Sequence, residues 1–170
     1  MYRLEESKAR LNRHAVLLES GGITFRVNYW GGMHKLTYNP VHKHSSFEIC
    51  YVVDGDGTYL DDGRVYHLHK GTLFCSRPGI AHQIRSGEGL FLLWVDFEVD
   101  ESRSSPEYVD RFVSLAGRSK VCVNEGDGSS TASLWRSLLI PEQEGWAVDT
   151  EFFACTRPYA AGFVPRFIFK

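Results

Sequence analysis

Pro40-Val41-His42-Lys43-His44-Ser45-Ser46-Phe47-Glu48-Ile49-Cys50-Tyr51-Val52-Val53-Asp54-Gly55 is the stretch on which the fold turns. His42 and His44 are two residues apart, so on an extended backbone both side chains leave the same face. Glu48 follows His44 by four residues and opens an apolar, β-favouring run from Ile49 to Val53. The run stops at Asp54-Gly55, which reads as a turn. A second stretch answers it: Gly71-Thr72-Leu73-Phe74-Cys75-Ser76-Arg77-Pro78-Gly79-Ile80-Ala81-His82. Three imidazoles and a carboxylate, carried on short strands closed by glycine turns, are the donor set of a divalent-metal site in a small β-barrel.

On either side the pattern stays β. Ile23 to Tyr29 alternates apolar and polar residues, as a half-buried strand does, and Gly31-Gly32 is expected to break it. Residues 35–39 form another short strand in this reading. Phe47–Val53, Gly57–Leu60, Val65–Leu68, Thr72–Cys75, His82–Arg85 and Leu90–Glu98 are strand-length runs. Asp54-Gly55, Asp62-Gly63, Lys70-Gly71, Pro78-Gly79 and Gly87-Glu88-Gly89 punctuate them, the rhythm of a sandwich or jelly-roll barrel. Before this region, Glu5 to Glu19 predicts a short, weak helix or an irregular lead-in.

The character changes after Asp100. Ser104-Ser105-Pro106-Glu107 has a serine cap, a proline in the first turn and an acid at the positive end of the dipole. Tyr108, Val109, Phe112, Val113, Leu115 and Ala116 follow at helical spacing, and Gly117 ends the run. Val121 to Val123 is a short strand. A second helix carries Leu134, Trp135, Leu138 and Leu139 on one face and ends before Pro141. Residues 141–170 have neither clear period nor turn logic.

With 170 residues, 43% apolar and 24% charged, the chain has the composition of an ordinary soluble domain with a sizeable core. A formal charge of −2 argues against non-specific nucleic-acid binding, which rests on a basic surface. No run approaches a membrane span, and the charged amino terminus does not read as a secretory signal. Cys50, Cys75, Cys122 and Cys155 show no Cys-x-x-Cys spacing. A reduced, cytoplasmic setting with buried thiols is the expectation. The glycines mark turns and cradle no phosphate, and no nucleophile elbow supports hydrolase chemistry.

The spacing His-x-His-x3-Glu-x6-Gly, followed by Gly-x6-Pro-Gly-x2-His, resembles the two-part signature of the cupin barrels. The second part departs twice, with Arg77 where a proline is usual and Ser86 where an asparagine is. A narrower resemblance runs from about Ile23 to Glu101. Tyr29-Trp30-Gly31, Glu48-Ile49-Cys50-Tyr51-Val52, Asp61-Asp62-Gly63, Ser76-Arg77-Pro78-Gly79 and Trp94-Val95-Asp96-Phe97 look like the amino-terminal sensor domain of AraC-type transcriptional regulators. The resemblance implies a mainly β, jelly-roll cupin barrel over residues 1–100 and a helical dimerisation segment over 101–140. It implies a small-molecule effector such as a sugar, a homodimer, and DNA contact through a helix-turn-helix domain. No such pair of helices is readable in this chain. The chain alone is therefore expected not to bind DNA, and residues 141–170 read as an atypical, truncated or frame-shifted tail.

His42, His44, Glu48 and His82 are the candidate metal ligands. Their atoms suit Fe, Mn, Ni, Cu or Zn without choosing among them. The same four, with Arg77 and Trp94, are the candidate ligand-binding residues. Two readings stay open for the four: a metal site, or pocket-lining polar groups in a sensor that holds an organic ligand without metal. Arg77 either reaches a carboxylate or sugar hydroxyl at the barrel mouth or pairs with a nearby acid at the surface. Trp30, Tyr51, Tyr59, Phe74, Phe91 and Trp94 are core residues, one or two of which line a cavity. His67 and His69 share a face with Val65 and point to solvent. The competing function is a small metal-dependent cupin enzyme, a dioxygenase or sugar isomerase, held together by the same four ligands.

Overall fold

Alternation along Phe47–Asp54 separates two environments. Ile49, Tyr51 and Val53 face one way, Glu48, Cys50 and Val52 the other, and all but Glu48 are buried. A strand apolar on both faces must be covered on both. The computed structural model describes residues 3–117, 120–124 and 128–140. In chain order these form α1 (Leu4–His14), β1 (Leu17–Ser20), β2 (Ile23–Tyr38), β3 (Phe47–Asp54), β4 (Gly57–Asp61), β5 (Arg64–Leu68), β6 (Thr72–Ser76) and β7 (His82–Val99). A single 3-10 turn, α2 (Pro106–Ala116), β8 (Cys122–Asn124) and α3 (Ser130–Leu139) follow.

All pairings are antiparallel, with the strands ordered β1-β2-β7-β3-β6-β8 and with β4 linking β5 to β7. The second half of β7 lies between β2 and β3, while its first four residues pair with β4. One strand thus belongs to two leaves, and the sheet curls. Inside the curl Cys50, Val52, Phe74, Leu90 and Leu92 meet Tyr59, Leu68 and Ile84. The Tyr59 and Phe74 rings lie 4.5 Å apart across the gap. On the outer face Ile49, Tyr51, Leu93, Val95 and Phe97 form a second core with Leu4 and Leu11 of α1, Phe112 of α2, and Trp135, Leu138 and Leu139 of α3. Phe25, Phe47, Phe97 and Phe112 make edge and stacked contacts there at 5.3 to 6.3 Å.

Several expected boundaries are corrected. The lead-in helix ends at His14, and Leu17–Ser20 is a strand on the edge of β2. Gly31-Gly32 does not interrupt β2. A Cβ on Gly31 would sit 2.0 Å from the ring of Trp94, its cross-strand partner, so glycine is there to admit an indole and not to turn the chain. Similarly, 82–85 and 90–98 are one strand, bent where Gly89 takes φ +104°. Ser105 caps α2 by position but not by a side-chain bond; its N–H donates to the Gly22 carbonyl instead. Ser129 does cap α3, accepting from the Ala132 N–H at 3.1 Å. His67 and His69 are exposed, as read. Cys155 and the atypical tail at 141–170 lie outside the described residues.

Phe97 is fully buried among three other phenylalanines. Phe97→Ala should cost about 3–5 kcal/mol, read by urea denaturation, because the ring's contacts on both sides are lost and a cavity remains.

Candidate metal centre

The histidine segment is a connection between β2 and β3, and it is fastened at two points. His42 and His82 exchange backbone hydrogen bonds, with N–H to O distances of 3.1 and 2.9 Å. The Gly79 N–H donates to the His44 carbonyl at 2.8 Å. Gly79 sits at φ +74°, which lets the Pro78-Gly79 turn close against the segment. The two halves of the sequence signature are therefore brought together by main-chain bonds before any side chain is considered.

The rings follow. Ring centroids of His82 lie 4.3 Å from His42 and 4.8 Å from His44, with His42 and His44 6.1 Å apart. Each Nδ1 meets a backbone carbonyl: His42 that of Pro40 at 2.8 Å, His44 that of Ser46 at 2.8 Å, His82 that of Ile80 at 3.0 Å. A carbonyl only accepts, so each Nδ1 carries a proton, and in a neutral ring Nε2 then presents the lone pair. The Nε2 atoms of His44 and His82 are buried and have no hydrogen-bond partner among the described residues. His82 is fully buried. Burial, opposed by the Ile80 carbonyl, pushes its imidazole down to about 4, so the ring is neutral at pH 7.

Leaving two buried acceptors empty costs about 1–3 kcal/mol each. A cation accounts for the arrangement: one donor atom from each of the three rings lies within 4.8 Å of the other two, and carbonyl bonds to the distal nitrogens orient ligating imidazoles. The donor set thus fits a transition metal.

Glu48 stands next to this trio and is paired with something else. It faces Asp96 directly across β3 and β7, and His44, Glu48 and Asp96 form a second group whose donor atoms lie within 4.8 Å. Asp96 accepts from the Asn28 amide at 2.7 Å and the Ser46 hydroxyl at 2.6 Å. Burial, and then the Asp96 charge, push Glu48 up to about 7, with the Cys50 thiol 3.6 Å away pulling the other way. Sequence reading passed over Asp96. It stands within Trp94-Val95-Asp96-Phe97, and the β3–β7 register is what sets it opposite Glu48.

Trp94 lies on the same inner face, half-buried, over Gly31 and 6.3 Å from the exposed Tyr29 ring. Arg77 points elsewhere. It is 7% exposed, bonds Asp61 at 2.5 Å and donates to the Ala116 carbonyl at the end of α2. Pairing with an acid is what is found, and the pair is buried instead of lying at the surface. Tyr59 joins it, its hydroxyl reaching Asp61 at 3.2 Å and Ser76 at 3.0 Å. Burial raises all three described thiols, Cys75 and Cys122 to about 12, so they are protonated and inert.

A curled antiparallel sheet with three imidazoles and two carboxylates on its inner wall defines a cupin-type barrel with a metal-competent centre. More narrowly, residues 31–148 match the AraC-like ligand binding domain, and the chain belongs to that family. YfiF of Bacillus subtilis, an uncharacterised HTH-type transcriptional regulator, is 39% identical over 137 residues, which are 81% of this chain and 44% of that protein. The chain therefore spans less than half the length of this relative. Among solved structures, NMB1881 from Neisseria meningitidis overlaps 58% of this chain and 99% of its own at 19% identity and TM-score 0.36. An RmlC-like cupin from Shewanella frigidimarina overlaps 51% and 86% at 21% identity and TM-score 0.37. No functional reading rests on those two overlaps. Among the described residues no helix is long and apolar enough to cross a membrane.

Arg77→Met strands the buried Asp61 charge and should cost about 3–5 kcal/mol in a urea melt. The double variant with Asp61→Leu should recover most of the loss. The metal-free protein should also show two opposed pH dependences. His82 is lowered from 6.5 to about 4, so its contribution is present above pH 6.5 and lost as pH falls through 4. Glu48 is raised from 4.5 to about 7, so its contribution is present below pH 4.5 and lost as pH rises through 7. Stability measured against pH in chelator should lose the acid-side fall in His82→Gln and the neutral-side fall in Glu48→Gln, each at most about 3 kcal/mol.

Proposed function

We propose that this chain is the ligand-sensing domain of a transcriptional regulator and that its effector is a small polyhydroxy molecule such as a sugar, bound on the inner wall of the barrel. Membership of the AraC-like ligand binding domain family carries the reading. The wall supports the ligand class. Trp94 and Tyr29 offer flat faces, and Glu48, Asp96 and His44 offer hydrogen-bond acceptors beside them, the mixture of apolar platform and few polar groups that small-molecule sites use. His42, His44 and His82, with Glu48 within reach of His44, would hold a divalent transition metal. That ion would supply a Lewis acid to an oxygen of the effector.

In this reading the intact regulator is a homodimer joined through the helices that follow the barrel, and it contacts DNA through a different domain. The effector acts by binding one arrangement of those helices better than another. A metal-dependent enzyme, a dioxygenase or sugar isomerase, is the second reading, and the two buried Nε2 atoms without a partner among the described residues favour it.

Thermal-shift screening of monosaccharides against metal-loaded protein, with Trp94→Ala alongside, tests the first reading against the second. A sensor should show one or a few sugars that raise Tm, by roughly 2.7 kcal/mol of stability at a hundredfold excess over Kd. The shift should vanish in Trp94→Ala, and the sugar should be recovered unchanged. Oxygen uptake or aldose–ketose conversion by the loaded protein would replace the sensor with the enzyme.

A further inference from the structure

The expected ligand set is three histidines and Glu48, yet Glu48 does not stand alone. It is directly opposite Asp96 on the neighbouring strand, both on the inner face. Like charges placed directly opposite on adjacent strands repel. Among the described residues neither carboxylate has an ion pair, and the donors to Asp96, Asn28 and Ser46, are neutral. His44 is the member common to the imidazole group and the carboxylate group, and its buried Nε2 has no partner among the described residues. His44 therefore links the two groups. Beside it, His82 is fully buried with its Nε2 equally unsatisfied.

We propose that Asp96 is itself a metal ligand, so that the centre offers two carboxylates opposite the imidazoles of His42, His44 and His82. This rests on the metal reading given above and adds a residue and a preference to it. Three imidazoles and one carboxylate suit Fe, Mn, Ni, Cu or Zn alike. A second carboxylate shifts the donor set toward oxygen and toward harder ions such as Mn2+. The hydrogen bonds from Asn28 and Ser46 then have a second use, since ligating carboxylates are oriented by outer partners as ligating imidazoles are. They hold the Asp96 side chain in place through both of its oxygens.

The test is Mn2+ and Zn2+ affinity of the purified protein, with Mn2+ followed by loss of the free-ion EPR signal and Zn2+ by chelator competition. Asp96→Asn keeps the shape of the side chain, and Asp96→Ser gives a second variant in case the first does not fold. Ser46→Ala removes one hydrogen bond to Asp96 and leaves its carboxylate intact. Asp96 variants should weaken Mn2+ at least about tenfold and Zn2+ by no more than about threefold, since the imidazoles still hold zinc. Ser46→Ala should weaken Mn2+ clearly less than Asp96→Asn does, since the carboxylate itself remains.

Equal Mn2+ affinity in wild type and the Asp96 variants would overturn the assignment. So would parallel losses in Asp96→Asn and Ser46→Ala, the mark of a purely structural aspartate. Zinc bound without any Mn2+ binding would also remove Asp96 from the centre while leaving the imidazole site standing. Failure of wild type to bind either ion would remove both.

Discussion

Two backbone hydrogen bonds between His42 and His82 hold the site together. They form an isolated bridge in the segment that joins β2 to β3, and they join residues forty positions apart in the sequence. From them the rest follows by elementary geometry. His44 lies two residues on from His42, the Pro78-Gly79 turn bonds its carbonyl, and β3 begins at Phe47 with Glu48 already on the inner face. The curl of β7 is the other half of the constraint. Because its first residues pair with β4 and its last with β3, His82 and Asp96 arrive at the same wall from opposite ends of one strand.

The wall is organised at a cost to the metal-free protein. Among the described residues, two buried imidazole nitrogens have no partner, and two carboxylates face one another with neutral hydrogen bonds alone to support them. In each ring the proton is committed to a carbonyl, so a proton cannot be shared inward without charging the imidazole. A divalent ion would relieve both defects at once, offering positive charge to the nitrogens and a counter-ion to the carboxylates. Beside it Trp94 is half-buried and Tyr29 is exposed.

Much of this could be read from the chain because it depends on local rules. Alternation marked β3, turn residues marked its end, and the i, i+2 spacing put His42 and His44 on one face whatever the tertiary structure. Asp96, by contrast, acquires its meaning from register. Nothing within Trp94-Val95-Asp96-Phe97 says which residue of which strand it will oppose. Gly31 misled for a related reason: a glycine that makes way for a distant indole looks, in one dimension, like a glycine that turns. Arg77 was read as a surface or barrel-mouth group because a charged residue has a strong prior for solvent. Its burial depends on Asp61, sixteen residues away, and on the last turn of α2.

Arg77 also bears on how the inner wall and the helices are related. Asp61 is the cross-strand neighbour of His82, and Arg77 spans from Asp61 to the Ala116 carbonyl, so one buried ion pair touches both the strand that carries a ligand and the helix that follows the barrel. The candidate metal centre requires an ion at the point where the imidazoles meet. Anomalous diffraction from crystals grown with Mn2+ or Zn2+, recorded on both sides of the metal edge, locates such an ion directly. The account predicts one strong peak about 2.0–2.2 Å from the Nε2 atoms of His42, His44 and His82, on the side of the Glu48 and Asp96 carboxylates. A metal-saturated crystal with no peak there, or with the ion bound through Nδ1 after the rings have left their carbonyls, would contradict it.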